Sequence, residues 1–321
     1  MHLQFLGTSS GVPTRHRSLS ALAIRGEGER GWVLVDCGEG TQHRLLHTRL
    51  SLATLEAVCI THCHGDHCLG LPGLLGTASM EGRQAPLTIV GPDGIRELVA
   101  HALALTDSNL GFPLHFIDVA VAAGALPAVG GMKLEAAGLS HRIPSWAYAL
   151  TQDDPVRQLD HARLGAVGVP RGPLWGRLQR GEDVTLDDGR LVRADAVLVP
   201  PRPPRRIVVG GDNDTPALLD ALCRGAQVLV HEATYTEDVA ARVGPAPMHS
   251  TAARVAAFAS DADLPNLILT HFSPRYGNAR RSPHIGDIEA EARTAYDGAL
   301  YLARDLDAFS LEAGGALRRL D

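Results

Sequence analysis

The sequence predicts an α/β fold in which two β-sheets pack face to face, with helices outside and one insertion projecting from the body. Three features carry that expectation. Short apolar, β-branched runs punctuated by glycine dominate the first part of the chain, strand and helix signals alternate after Arg206, and histidines and aspartates stand just after strands in both halves. A chain of 321 residues with 45% hydrophobic and 21% charged positions can bury a sizeable core. That composition excludes wholesale disorder, collagen-like repeats and disulfide scaffolds.

In order, Leu3–Leu6, Leu19–Ile24, Trp32–Val35 and Ala57–Ile60 read as strands, with turn signals at Gly26-Glu27-Gly28 and Gly38-Glu39-Gly40. The Leu/Gly-rich stretch from Asp66 to Met80 reads as a loop entering a helix. Leu87–Val90 is a strand and Gly94–Leu105 a helix with apolar residues at 3.6-like spacing. Phe116–Val121, Met132–Ala137 and Trp146–Leu150 are further strands. Residues 151–205 break this pattern. They are rich in proline, glycine and charge, with weak periodicity over Arg163–Val169 and a turn at Asp187-Asp188-Gly189. Their end, Pro200-Pro201-Arg202-Pro203-Pro204, fits neither a helix nor an interior strand. We read 151–205 as a flexible arm inserted into a single domain spanning 1–321. Beyond it, strands at Ile207–Val209, Gln227–Val230, Leu267–Thr270, Leu300–Leu302 and Phe309–Leu311 alternate with helices at Pro216–Cys223, Thr251–Ala259 and Ile285–Tyr296.

A net charge of −6 argues against coating nucleic acid by bulk electrostatics, while leaving room for a local basic patch. Lysine occurs once, at Lys133, so nearly all positive charge is arginine, which we attribute mainly to genome composition. Five cysteines without framework spacing point to a reducing compartment. The N-terminus lacks the regions of a secretion signal, and no apolar run approaches a membrane span. A cytoplasmic protein without membrane association is expected. Fifteen histidines are the one compositional excess with chemical content.

Thr61-His62-Cys63-His64-Gly65-Asp66-His67 follows the strand Ala57–Ile60 directly, and its nitrogen and oxygen donors suit zinc. In extended backbone, residues two apart share a side. His62 and His64 can therefore meet one metal, while the turn at Gly65 brings Asp66 and His67 to a second. Four side chains cannot fill two sites, and His141, Asp212 and His271 stand at later strand ends. Alone, His141 or His271 reads as a satisfied core or surface histidine; beside H-x-H-x-D-H each reads as a ligand. A carboxylate such as Asp212 can bridge two cations, and the Gly211-Asp212 context favours it over Asp214. Cys63 alternates away from His62 and His64 and reads as a packed thiol; Cys68 flanks the cluster on its other side. His43 and His47, four apart, read as a solvent-facing helix surface.

The H-x-H-x-D-H motif, with a later histidine, aspartate and final histidine, resembles the metallo-β-lactamase fold superfamily and so implies an αββα sandwich. Within it the chain is similar to the ribonuclease Z family in its short bacterial form. The likeness runs through Leu6-Gly7-Thr8-Ser9-Ser10-Gly11-Val12-Pro13-Thr14, His64-Gly65-Asp66-His67, Gly70-Leu71-Pro72-Gly73, Gly172-Pro173-Leu174-Trp175, His231-Glu232-Ala233-Thr234, His249-Ser250-Thr251 and Thr270-His271-Phe272-Ser273-Pro274-Arg275-Tyr276. One departure is Ser18 after Arg17, where the family commonly has asparagine.

The resemblance implies a zinc-dependent endoribonuclease that removes the 3′ trailer from precursor tRNA near the discriminator base. A 3′-hydroxyl is left on the tRNA and a 5′-phosphate on the trailer. By the same resemblance, His62, His64, His141 and Asp212 hold one Zn²⁺, and Asp66, His67, Asp212 and His271 the other, two per subunit. Paired zinc ions activate water and clamp a phosphodiester. Asp66 then doubles as proton acceptor, and His249 is the general acid for the leaving 3′ oxygen, oriented by Glu232. His231 ranks lower, as structural.

In that family the insertion grips the tRNA body. Between His161 and Gly181, Arg163, Arg171, Arg177 and Arg180 stand with no Asp or Glu, a local +4. Arginine engages phosphate through its planar donor fork, so Arg171, Arg177 and Arg180 are expected substrate contacts. Trp175 stacks or anchors the arm, and Arg275 and Tyr276 are expected near the scissile phosphate. A homodimer is implied as well. Competing readings are a general dizinc phosphodiesterase or lactonase-like hydrolase of the same fold, a ribonuclease with added 3′ exonuclease activity, and a non-catalytic RNA-binding protein with structural zinc. The arm and the Glu232/His249 pair disfavour a lactonase, and the donor set disfavours closed structural sites.

Overall fold

The computed structural model describes residues 1–122, 126–153, 158–199, 203–277 and 283–320; Pro200, Pro201 and Arg202 of the proline-rich stretch lie outside them. The chain forms two compact units, Met1–Gln152 with Arg205–Asp321, and Asp153–Pro204. Among the described residues no helix is long and apolar enough to cross a membrane.

Strands in the first half are β1 (His2–Gly7), β2 (Ala21–Arg25), β3 (Trp32–Val35), β4 (Leu55–Cys59), β5 (Leu87–Gly91), β6 (Leu114–Asp118), β7 (Lys133–Leu139) and β8 (Ser145–Gln152). Next come β9 (Val184–Thr185), β10 (Leu191–Val192), β11 (Arg205–Val209), β12 (Val228–Glu232), β13 (Asn266–Thr270), β14 (Ala299–Leu302), β15 (Ala308–Leu311) and β16 (Leu317–Leu320). The larger unit holds an eight-stranded sheet, β16-β15-β1-β2-β3-β4-β5-β6, and a six-stranded sheet, β14-β13-β12-β11-β8-β7.

Period-2 side-chain alternation sorts these strands into layers. Val33 and Val35 of β3, Ile207 and Val209 of β11, and Val228 and Val230 of β12 join one core between the sheets. Their neighbours Trp32 and Leu34 face outward onto a second core shared with Leu71, Leu74 and Leu75 of the helix Leu71–Met80. Val208 and Leu229 face a third, shared with Val255 and Ala256 of the helix Ala252–Asp261. Helix, sheet, sheet and helix follow in that order, the αββα sandwich that the sequence predicts.

Boundaries moved in places. The expected helix Ile285–Tyr296 ends at Ala292, and Tyr296 instead donates its hydroxyl to the Leu264 carbonyl at 2.6 Å. Pro216–Cys223 begins as a 3₁₀ turn, because Pro216 supplies no amide donor. The helix Glu237–Val243 and β16 are additions without a clear periodic signal.

The smaller unit is more ordered than its composition suggests. Asp160 caps the helix His161–Ala166 through the amides of Ala162 and Arg163, both at 3.0 Å. Pro173 opens the helix Pro173–Gln179 at a position that needs no donor. β9 and β10 pair as a hairpin. Leu164, Leu178, Val184 and Val197 are each fully buried in a core of the unit's own.

Candidate active site

Residues of the expected site stand at the carboxyl ends of parallel strands. β3, β4, β5 and β6 run parallel in one sheet and β11, β12, β13 and β14 in the other. Open α/β sheets place ligands at such ends. His62 follows β4, Asp212 follows β11, Glu232 closes β12 and His271 follows β13. His141 sits in the connection from β7 to β8, whose antiparallel pairing with β11 brings that connection to the same edge. Gly211 makes the convergence possible, because a Cβ there would come within 2.7 Å of Ser145 Oγ and of Thr61 Cβ.

The side chains form two groups that meet at one carboxylate. In the first, His64 Nδ1 lies 3.0 Å from His62 Nε2 and 3.1 Å from His141 Nε2. Asp212 Oδ2 is 3.5 Å from His62 Nε2 and 3.7 Å from His141 Nε2. In the second, His67 Nε2 and His271 Nε2 are 3.1 Å apart, with Asp66 Oδ2 at 3.6 and 3.4 Å from them. Asp212 Oδ1 reaches this group at 3.5 Å from His67 Nε2. Tetrahedral bonds of about 2.0 Å put ligand atoms about 3.3 Å apart, so the spacing of these donors fits metal ligation.

Ring nitrogens facing away from the donor centres are engaged by neighbouring groups. His67 Nδ1 bonds Asp36 Oδ2 at 2.7 Å, and His141 Nδ1 donates to the Met248 carbonyl at 2.9 Å. His62 Nδ1 meets Thr61 Oγ1 at 3.0 Å, and His271 Nδ1 meets Thr234 Oγ1 at 3.1 Å. These contacts fix ring orientation and leave the Nε2 lone pairs facing the centre. The Gly11 amide, in the first motif, donates to Asp66 Oδ2 at 2.7 Å. Asp36, Met248 and His271 all adopt left-handed backbone, at φ of 60°, 55° and 57°. Non-glycine residues hold that conformation at a cost, typically where a site requires it.

Electrostatics agree with the donor role. Burial pushes His62 down to about 2, helped by His67, and lowers His64 and His141. All three are therefore neutral, as ligands must be. Burial would lower His67 too, but Asp212 and Asp36 outweigh it and raise it well above 6.5, and a cation can replace that proton. His249 differs. Burial is overcome by the attraction and hydrogen bond of Glu232, and by Asp212, raising His249 to about 9. Its Nδ1 lies 3.0 Å from Glu232 Oε1. Glu232, wholly buried, is held by the Asn213 amide at 2.9 Å and by a short hydrogen bond from Thr234 Oγ1.

Other expected residues fall differently. Tyr276 is fully buried and its hydroxyl accepts from the Thr236 amide at 2.7 Å, so it is a packing residue and not a substrate contact. Apolar packing around the ring, invisible in a motif, decides this. Arg275 is exposed and lines a cavity with His249. The arm's arginines are not unopposed, because acids just outside the 161–181 window meet them. Arg163 pairs with Asp160 at 3.1 Å, and Glu182 takes Arg177 at 3.0 Å and Arg180 at 2.9 Å. Residues 153–204 contain eight arginines and eight acids, so this unit carries no net charge. Arg171 lies 5.6 Å over the Trp175 ring. Half-buried Trp175 packs on the arm's own core and donates to the Val169 carbonyl at 3.4 Å.

Cys63 lies outside the donor groups, with Sγ 3.5 Å from the Asp93 carbonyl, and Cys68 is buried. His43 and His47 are exposed, and Asp214 is engaged by Thr215. His231 is buried against Asn213, in keeping with a structural place. Residues missed from sequence are Asp36, Thr61, Asn213 and Thr234. Only Asp36 had a signal, an acid at a strand end before a glycine turn.

Residues 1–141 match the family model described as Anti-Pycsar protein Apyc1. Over 322 aligned residues the chain is 50% identical to ribonuclease Z of Marinobacter nauticus, covering 100% of this chain and 99% of the relative. The chain belongs to the ribonuclease Z family. It is accordingly a hydrolase, an endoribonuclease with a metallo-β-lactamase fold. Human tRNase Z, short form, superposes with a TM-score of 0.66 at 26% identity, covering 97% of this chain and 100% of that one. The metallo-β-lactamase fold protein YhfI of Bacillus subtilis superposes with a TM-score of 0.66 at 16% identity, covering 96% and 98%, and shares the fold.

Proposed function

We propose that this endoribonuclease removes the 3′ trailer of precursor tRNA, cutting just after the discriminator base to leave a 3′-hydroxyl and a 5′-phosphate. The carrying observation is the meeting of two donor groups at Asp212 beside the buried Glu232–His249 pair, on a chain that aligns end to end with ribonuclease Z. His62, His64, His141 and Asp212 would hold one cation and Asp66, His67, Asp212 and His271 the other; the donor chemistry favours zinc, two per subunit. Bound there, the pair supplies activated water and offsets phosphodiester charge.

The chain's own groups do the rest. Asp66 takes the proton of the attacking water, tethered for this by the Gly11 amide. His249, kept protonated by Glu232, donates to the leaving 3′ oxygen. Arm residues Arg171, Arg177 and Arg180 bind tRNA phosphates, Arg177 and Arg180 by exchanging their exposed ion pairs with Glu182. Trp175 shapes the arm, and Arg275 binds near the cut. The reading includes a homodimer, checked by light scattering. Five free cysteines fit the cytoplasm. Incubation with 3′-extended precursor tRNA and mapping of the ends tests the function. A cut one nucleotide past the acceptor stem is expected; cleavage elsewhere, or none, overturns it.

A further inference from the structure

Two cavities, of about 400 and 410 Å³, share His249, Arg142 and the turn Ser10–Val12 as a common wall. Each is large enough for a small ligand group. Their chemistry differs. The first is lined by Asp66, Asp212 and Glu39. The second has no acidic lining residue, and is built from Tyr235, Arg275, Pro247 and Pro274 around the shared wall.

We infer that the second cavity is the subsite for the nucleoside on the 5′ side of the cut, with Arg275 and Tyr235 holding its base. The inference rests on the trailer-cleavage reading and deepens it. Displacement at phosphorus places the entering and leaving oxygens roughly in line. Asp66, which takes the nucleophile's proton, lines the first cavity alone. His249, which protonates the leaving oxygen, forms the wall between them. The leaving oxygen therefore lies on the His249 side, and the nucleoside that carries it extends away from Asp66 into the second cavity.

That cavity has the character a nucleobase needs. Pro247 and Pro274 offer apolar faces, and the Tyr235 ring stands edge-on to His249 at 5.8 Å and 78°. The Arg275 guanidinium donates to Ser273 Oγ at 3.2 Å on the wall of the same cavity while remaining exposed, placing a flat cation on the wall it shares with Tyr235, where a base can stack. Arg142, exposed and 3.5 Å from His64 Nε2, reaches both cavities and suits the phosphate between the two nucleosides. The trailer then leaves through the first cavity.

A double-mutant cycle between protein and RNA tests this. Precursor tRNA is prepared intact, with an abasic sugar immediately 5′ of the cut, and with one immediately 3′. The expected result is a roughly ten-fold loss of kcat/KM for wild type on the 5′-abasic RNA. Arg275→Ala loses about as much on intact RNA and little more on the 5′-abasic form, yet keeps wild-type sensitivity to the 3′-abasic form. Losses that multiply at the 5′ position, or coupling at the 3′ position instead, overturn the subsite. Tyr235→Leu, checked by thermal melting, repeats the cycle, and exposed Arg275 decides it if that variant unfolds. Failure of wild type to cut intact RNA overturns the trailer reading and the subsite with it; cutting without coupling overturns the subsite alone.

Discussion

The body and the arm use charge in opposite ways. In the body, Asp212, His62, His67, His271 and Glu232 are buried, and each has a partner distant in sequence. In the arm, Arg163, Arg177 and Arg180 are exposed and paired with acids close in sequence. Buried charge without its partner costs several kcal/mol, whereas an exposed pair contributes about 0–1 kcal/mol. The body therefore presents a fixed electrostatic geometry, and the arm an exchangeable one whose arginines can trade a carboxylate for a phosphate.

Substitutions should reproduce that contrast. Asp212→Ala removes the group both donor sets share, and precursor cleavage should fall by about four orders of magnitude, the scale for a central catalytic group. Metal content measured on the same sample should drop; an active, metal-replete variant would break the bridging assignment. His249→Ala should lose about 10²–10⁴ in kcat. The pH profile sharpens this. Folded His249 is raised from 6.5 to about 9, so its pair with Glu232 stabilises fully below pH 6.5 and is lost as pH rises through 9. The alkaline limb of kcat should thus sit at or below about pH 9, since neighbouring cations push it down, and Glu232→Gln should move it lower still. An unchanged limb in that variant removes the pair from the mechanism.

Excising the arm comes next. Gln152 and Arg205 are register partners of β8 and β11, so a short Gly-Ser turn can replace 153–204. Losing a second attachment point should cost about 10²-fold in kcat/KM on precursor tRNA, with hydrolysis of a small phosphodiester spared. Equal loss on both substrates would end the idea of an arm that binds RNA. Asp36→Asn should weaken metal affinity about 10- to 100-fold, and added zinc should restore cleavage. Smallest of all, Arg177→Ala should weaken RNA binding a few-fold and lower the salt slope by about 1. A hundred-fold effect from that one exposed residue would erase the contrast between the two regions.

Motif spacing exposed His62, His64, Asp66 and His67, because ligands on one short strand exit must lie close in sequence. His141, Asp212 and His271 were legible only through their place after apolar runs. Thr61 and Thr234 were not, since a lone threonine carries no spacing signal, and Asp36 offered only an acid at a strand end before a glycine turn. Their partners are side chains brought near by sheet packing. Tyr276 was misread for the same reason: its position near His271 suggested substrate, while the core it shares with Leu229, Val255 and Ala256 encloses it. The arm's charge was overstated because a window ending at Gly181 leaves out Glu182, one residue further on.

Composition and local pattern alone determined the α/β class, the layered strands and where along the chain metal-type residues stand, because hydrophobic period and strand-end chemistry are local properties of a chain. Packing settled what remained. Only the meeting of two sheets at their carboxyl ends gives each oxygen of Asp212 histidine neighbours, puts Glu232 under His249, and divides the cleft into an acidic and a non-acidic cavity. Those relations join residues far apart in sequence, and no spacing rule encodes them.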